Sequence, residues 1–490
     1  MNVLDKIIGI FSPKAAFERS RYRAVQAAYE AAKPDRTRTG KIDNSSADRL
    51  TQKAGNGLHG FSRHLEQNND FCYSILLTKT NNVIGAKGIN VEPMPLRTNG
   101  TIHSEFKKIL LTGWEKWSNN PEVTKSLSYA DCERLAYWTK QRDGECFVQF
   151  IVGELPTLRH GWKIPFSIEL IERDYLPVWN SSLTSRVQQS IERNEWGQAI
   201  NYHVLKDHPE GISYRNSLDY RIIPASRMLH LKRVTRFKQS RGVPLFAQII
   251  KSLEWIGSYL RSEAIAALTA SMFAVVIKKG NPDAYDSETD SNGKRMMGLD
   301  SGTVIDDLLP GESLDVVSSN RPNSASTPFV DLVTKFMCGA VGVNWSNVTN
   351  NYDGTYISKR AERIDSQKNY EADAHEFIKE MTKPIYEKHI EMGILAGVYK
   401  IPKDLDLDTL FDAGYFSPAM PELDPNKDSN ASETYIANGI KSTPQIIREK
   451  GGNPDQVLEQ EAEWQAKVKK KQMWFTTFQK EPTDNTNQAA

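Results

Sequence analysis

Hydrophobic positions change period several times along the chain, and each change marks an expected element. From about Gly60 to Asn82 the spacing is helical, with Leu65, Phe71, Tyr73, Ile75 and Leu76 as the expected buried positions. "NNVIGAKGINVEPMPL" predicts a short strand, a glycine break and a second strand. "HSEFKKILLTGWEKWSNN" reads as a helix, and "SLSYADCERLAYWTKQRDGECFVQFIV" as a helix, a tight Asp-Gly turn and a strand. Alternation continues through "PFSIELIERDYL", "RNEWGQAINYHVL" and "RIIPASRMLHLKR", so residues 60–240 are expected to form a mixed α+β unit.

The pattern then becomes helical. Pro244 stands where the first turn of a helix is expected, and Ile249, Ile250, Leu253, Ile256, Leu260, Ile265 and Leu268 follow near helical period. "FAVVIKKGNP" predicts a strand, residues 280–300 a polar loop, and "SGTVIDDLLPGESLDVVSS" two short strands about a Pro-Gly turn. A shorter helix, "PFVDLVTKFMCGAVGV", runs into "NWSNVTNNYDGTY", expected as an exposed loop. The longest helical pattern, Ile357 to Gly393, is expected to bend near Pro384. A Pro- and Asp-rich linker and two or three short helices follow, and "KEPTDNTNQAA" is an expected disordered tail.

Charge narrows the function classes. Lys+Arg number 62 and Asp+Glu 61, so the cation excess of a tight, sequence-independent DNA binder is missing. The four cysteines, Cys72, Cys132, Cys146 and Cys338, form no C-x-x-C pair, which argues against a zinc ribbon or disulfide scaffold and suits a reducing compartment. "MNVLDKIIGIF" is interrupted by Asp5 and Lys6 and is too short for a membrane span or a signal-peptide core.

Candidate chemistry is sparse. "HEFIK", starting at His375, has Lys379 where a zinc protease needs a second histidine. His203 and His208 read as ordinary polar histidines, and Asp143 and Glu145 as flanks of a helix-to-strand turn. Neither "RTGKID" nor "NGKRM" has the glycine spacing and following Ser or Thr of a Walker A loop. What remains is a basic collar, Arg233, Arg236, Lys238 and Arg241, leading through Gly242 and Pro244 into the helix.

Taken in order, these segments resemble the portal proteins of tailed bacteriophages, specifically the lambda type. The resemblance runs from "FSRHLEQNNDFCYSILLTKTNNVIGAKGINVEP" through Trp114 and Trp117, "DGECF" (143–147), "IERD" (171–174) and "HVLKDHP" (203–209). Its most specific block is "IPASRMLHLKRVTRFKQSRGVPLFAQII" (223–250). "LLPGESLDVVSSNRPNSASTPFVDLV", "NYDGTYISKRAERI" and "LDPNKDSNASETYIANGIKSTPQIIREKGGNPDQV" follow. The departures are extra residues in the "NYDGTYISKR" element, "VGVNW" in place of a Gly-Val-Pro-Tyr type sequence, and no tryptophan before the Asp-Pro element.

The resemblance implies an α+β portal fold: a mixed α/β wing, a helical stem, a small α/β clip and a helical crown in an elongated, ring-forming subunit. On this chain the implied parts are a basic arm (1–55), wing (56–240), first stem helix (241–270), clip (271–325) and second stem helix (326–342). A channel loop (343–357), a long helix returning through the wing (358–400), a linker (401–425), the crown (426–475) and the tail (476–490) complete it. The implied assembly is a homo-oligomeric ring of about twelve copies at one capsid vertex. It would conduct double-stranded DNA during packaging and ejection without reading its sequence. Implied partners are the terminase large subunit, the major capsid protein and scaffold, and later a head–tail adaptor. The implied location is the virion, after assembly in the host cytoplasm, with no cofactor, no metal, no catalysis and no membrane.

Carried over residue by residue, Asn344, Ser346, Asn347, Thr349, Asn350, Asn351 and Tyr352 are expected in the channel loop facing DNA. Arg233, Arg236, Lys238, Arg241, Gly242 and Pro244 are expected at the wing–stem joint, the cations facing a neighbouring subunit's carboxylates, a local partner or the channel. Lys278, Lys279, Asp283, Asp286, Lys294 and Arg295 are expected in the clip, where motor and adaptor dock. Two other readings stay open: a metal-dependent DNA hydrolase using Asp143, Glu145 or Asp174, and a monomeric capsid or DNA-binding adaptor.

Overall fold

The computed structural model describes residues 43–181, 186–211, 219–272, 276–279, 312–315, 326–419 and 424–471, with isolated positions before 43. The chain divides into two compact units, Met1–Arg49 and Leu50–Ala490. Helix α1 (Ala47–Asn68) already includes the last residues of the expected arm. The single helical pattern expected from Gly60 to Asn82 is broken at Asn69, whose side chain accepts from Cys72 N at 3.0 Å and so caps α2 (Asp70–Val83). Ile75 and Leu76 are fully buried, and Leu65 and Phe71 pack partly against the same core. Tyr73 departs from expectation: it lies on the outer side, 47% exposed, its ring meeting Trp138 edge-on. The strand expected at "NNVI" is the last turn of α2, because Leu76, Thr80 and Val83 continue one buried helical face. One strand follows, β1 (Asn90–Pro93).

The centre is a three-stranded antiparallel sheet behind α3 (Ser104–Ser118) and α4 (Tyr129–Asp143). Its strands are β2 (Glu145–Val152), β3 (Phe166–Ile171) and β8 (Met228–Lys232), in the order β3-β2-β8. Between β3 and β8 a four-stranded sheet forms from β4 (Val187–Gln188), β5 (Ile191–Arg193), β6 (Ala199–Leu205) and β7 (Tyr220–Pro224). Cys146, Val148 and Phe150 point into the larger core, while Phe147 points into a second core with Tyr202, Val204, Ile223 and Met228. Both faces of β2 are covered, which is why "CFVQFIV" is a nearly unbroken apolar run. Trp117 anchors α3 by stacking on Phe166 at 5.2 Å and donating to its carbonyl at 2.9 Å.

Past this unit, a 3₁₀ turn (Leu245–Gln248) leads into α5 (Ile250–Met272). Strands β9 (Val276–Lys279) and β10 (Glu312–Asp315) pair antiparallel, with Lys278 opposite Ser313 and Lys279 opposite Glu312. Asp283, Asp286, Lys294 and Arg295 lie outside the described residues. Helices α6 (Ser326–Val341), α7 (Trp345–Thr349) and α8 (Tyr356–Phe377) follow. The expected bend near Pro384 is a π turn, Ile378–Thr382, before α9 (Lys383–Leu395). Pro384 lacks an N–H and crowds the carbonyl four residues earlier, and the wider turn relieves both.

Strand β11 (Ala413–Phe416) returns to pair with β1, so the expected linker carries a strand. Helices α10 (Pro425–Ala437), α11 (Thr443–Glu449) and α12 (Pro454–Lys470) end the described chain. They are tied back through buried Glu92, which accepts from Arg448 at 2.8 Å and Lys107 at 2.7 Å; Lys107 also pairs with Asp455. Among the described residues no helix is long and apolar enough to cross a membrane.

Candidate functional site

The Asp143-Gly144-Glu145 turn and the Arg241-Gly242-Val243-Pro244 segment are separate in sequence and interlocked in space. Helix α4 begins with a reciprocal Ser128–Asp131 capping box and ends at Gly144, whose φ of 87° turns the chain into β2. A Cβ on Gly144 would lie 2.4 Å from the Val243 carbonyl carbon, and one on Gly242 would lie 1.9 Å from the Gly144 oxygen. The two glycines let two backbones cross in contact. Gly242, expected at the joint, serves this close approach, and its φ is not among the positive values.

Glu145, the first residue of a strand buried on both faces, lies at the centre of the crossing with no solvent exposure. Its Oε1 accepts from Arg241 Nε at 2.8 Å and faces Arg173 Nε at 3.3 Å. Its Oε2 accepts from Gly242 N and His230 Nε2, both at 2.9 Å. Arg241, itself fully buried, also donates Nη1 to the carbonyls of Leu176 and Gln189 at 2.9 Å. Burial by itself would raise the Glu145 pKa, but the Arg241 charge and the His230 hydrogen bond hold it well below the usual carboxylate range. Next to it, buried Asp143 is bound by Arg142 at 2.7 Å and Arg63 at 2.9 Å, with His59 at 3.4 Å. Arg63 continues to Asp174 at 2.7 Å.

The basic collar therefore divides. Arg241 turns inward to a partner in its own chain, and Arg233 is half-buried, while Arg236 and Lys238 stay on the surface turn that follows β8. Pro244 precedes the 3₁₀ turn, and α5 starts only at Ile250, later than the first helical turn expected at Pro244. Sequence reasoning placed Arg241 at a junction but missed Glu145, Arg173 and His230 as its companions. The available signal was a carboxylate opening a strand apolar on both faces, where burial demands a cation.

The segment expected as an exposed loop is also corrected. Asn344 and Ser346 are buried: Asn344 caps α7 by accepting from Ser346 N at 2.8 Å, and Ser346 Oγ donates to Glu362 at 3.0 Å and contacts Lys359. Trp345 donates to Thr334 at 3.0 Å and carries Lys335 over its ring. Asn347 and Asn351 are half-buried, whereas Thr349, Asn350 and Tyr352 reach solvent, Tyr352 at 61% exposure.

As metal ligands, Asp143, Glu145 and Asp174 would first have to leave their guanidinium partners. Among the described residues the one grouping with ligand-like spacing is Glu172, Asp174 and His208, and Arg63 pairs with both of its carboxylates, at 3.4 and 2.7 Å. His375 lies on an exposed helix face.

The buried histidines give a pH expectation. Burial pushes His230 down to about 4 in spite of Glu145, and pushes His389, which faces the Tyr399 hydroxyl at 2.8 Å, to about 3. Both folded values lie below the ordinary 6.5, so the unfolded chain binds more protons in between. Their contribution is complete above about pH 6.5 and declines as the pH falls toward 4. Glu133, raised to about 7 by burial, works in the opposite direction as the pH rises through that value. His389→Gln is therefore expected to flatten the loss of urea stability between about pH 7 and pH 4.5; an unchanged slope would clear His389 of any part in it.

Comparison with known proteins accords with the block order. Residues 33–373 match the family described as phage portal protein, lambda family. The chain shares 26% identity over 439 residues with the probable portal protein of Halomonas phage phiHAP-1, covering 87% of this chain and 83% of that protein. It shares 19% over 211 residues with portal protein B of Escherichia phage lambda, covering 38% and 40%. Among solved structures it is similar to a chain from the neck of a native GTA particle computed with C12 symmetry, at 9% identity and a TM-score of 0.38, over 84% of this chain and all of that one. A family match extending over well more than half of its length identifies this chain as a member of the lambda family of phage portal proteins.

Proposed function

We propose that this chain assembles into a closed ring of about twelve copies at one capsid vertex and conducts double-stranded DNA without chemistry. Family membership supports the general reading, and one structural observation carries the assembly: large apolar side chains stand in solvent on the two helices proposed as the stem. On α5 these are Trp255, at 73%, with Leu260, Ile265 and Leu268; on α6 they are Phe329, Leu332 and Phe336, at 69%. A soluble monomer seldom exposes so many large apolar side chains on neighbouring helices, and adjacent copies in a ring would cover them. In this reading residues 56–240 are the wing, β9 and β10 belong to the clip that meets the terminase motor and later the adaptor, and α10–α12 belong to the crown. End-on negative-stain images of the purified protein should show rings with a central hole. Compact single particles under every assembly condition would reject the proposal.

The duplex must slide through, so its contacts must be weak and replaceable. Of the expected channel loop, only the part beyond α7 fits that task, because Asn344 and Ser346 are engaged within the subunit. Deleting residues 350–354 is expected to leave ring formation unchanged while packaged DNA leaks or packaging stalls. Normal packaging and retention in that deletion would remove the loop from the mechanism.

A further inference from the structure

Two features lie at opposite ends of β2, and neither belongs to the ionic crossing. At the Glu145 end, the turn after β8 is built as a rigid projection. Buried Gln239 accepts from Thr235 N at 3.0 Å and Arg236 N at 3.2 Å, and donates to the Arg241 carbonyl at 2.7 Å. Lys232 holds the carbonyls of Gln239 and Ser240 at 3.2 and 3.3 Å. Lys238 adopts a φ of 57°, and the turn presents Phe237 fully exposed. An aromatic ring on a pinned turn is preorganised as an interface anchor, since little side-chain or loop entropy remains to be lost.

Beyond the Val152 end, a depression of about 450 Å³ opens between α3 and the chain after α9. Trp162, Val398, Tyr399 and Ile109 line it, with Ile109 half exposed, and Glu105 and Lys108 stand at its polar edge. Tyr399 enters because residue 113 is glycine: a Cβ there would lie 1.9 Å from its hydroxyl. Lys108 already meets Glu459 at 3.3 Å. Among the described residues neither Glu105 nor Lys238 has an ion pair. The eight residues of β2 put about 23 Å of strand, at ~3.3 Å per residue, between projection and depression.

We propose that Phe237 of one subunit seats in the depression formed by Ile109, Trp162 and Tyr399 of the next copy, with Lys238 paired to Glu105 across the contact. This rests on the ring reading. A projection and a hollow at opposite ends of one sheet are unlike surfaces, and unlike surfaces join head to tail, the contact type that closes into a ring. The charges at the two sites are complementary, as selective pairing requires.

The experiment places Phe237→Cys and Ile109→Cys in one chain and treats assembled rings with a short bis-maleimide linker. The four native cysteines are all buried, and untreated wild type and both single-cysteine chains serve as controls. The expected result is a ladder of covalent multimers from the double variant alone. Lys238→Glu and Glu105→Lys are each expected to reduce the ring fraction several-fold, and the two together to restore it. No ladder from rings of the double variant, or charge variants without mutual rescue, would overturn the contact and leave the ring reading standing. A Phe237→Ala variant that forms normal rings but retains less DNA would also overturn it, pointing to the duplex instead. Wild type that never forms rings would defeat the ring reading and this contact with it.

Discussion

Glu145→Gln is expected to destabilise the folded subunit by at least the roughly 3–5 kcal/mol typical of breaking a buried ion pair. The carboxylate is the shared counter-ion of two buried guanidiniums, Arg241 and Arg173, and the neutral amide leaves both charges in a water-excluded site. The change is nearly isosteric, so lost volume does not enter. Arg241→Met is the informative contrast. It leaves Glu145 facing Arg173 and should cost less, because Gly242 N and His230 also remain on the other oxygen. Urea midpoints of the two purified chains at neutral pH measure the difference. If Glu145→Gln unfolds at the wild-type midpoint, the crossing is not held by its charges.

Gly242→Ala should cost about 3 kcal/mol, the upper end of what overpacking ordinarily costs. The new methyl would lie 1.9 Å from the Gly144 oxygen and 2.9 Å from Glu145 Cβ. Relief requires moving backbone in which Arg233 N donates to Gly144 O at 2.8 Å and Val243 N donates to Arg233 O at 3.2 Å. Gly257, in α5, is the matched control. Nothing lies within 4 Å of its added Cβ, so Gly257→Ala should stabilise the helix by up to about 1 kcal/mol. Soluble yield and urea midpoint should move in opposite directions for the two variants. Equal behaviour would show that the crossing tolerates displacement.

Both expectations concern blocks already prominent in the sequence, "DGECF" and "SRGVPLF", yet their connection was not legible there. A helix-to-strand turn explains Asp-Gly locally, and a helix start explains Gly-Val-Pro locally. Neither local explanation needs the other. Tyr73 and the "NNVI" strand went astray because a helical face can rotate out of the core and because β-branched residues also finish buried helices. The loop after α6 went astray for a related reason. Asn, Ser and Thr favour turns, but Asn344 uses its side chain to start one more short helix, and Ser346 meets Glu362 from α8.

Periodicity and the order of short blocks along the chain were enough to establish the α+β character, the long helices and membership of the lambda portal family. Those properties are local or additive, and a linear pattern carries them. Folding in three dimensions settled which cations point inward, which glycines are sites of contact and which part of the loop stays exposed. These outcomes depend on partners distant in the chain: Ser346 and Glu362 are 16 residues apart, and Arg241 and Glu145 are 96 apart. A charge can be seen in a sequence, but whether water or a carboxylate surrounds it is decided by packing.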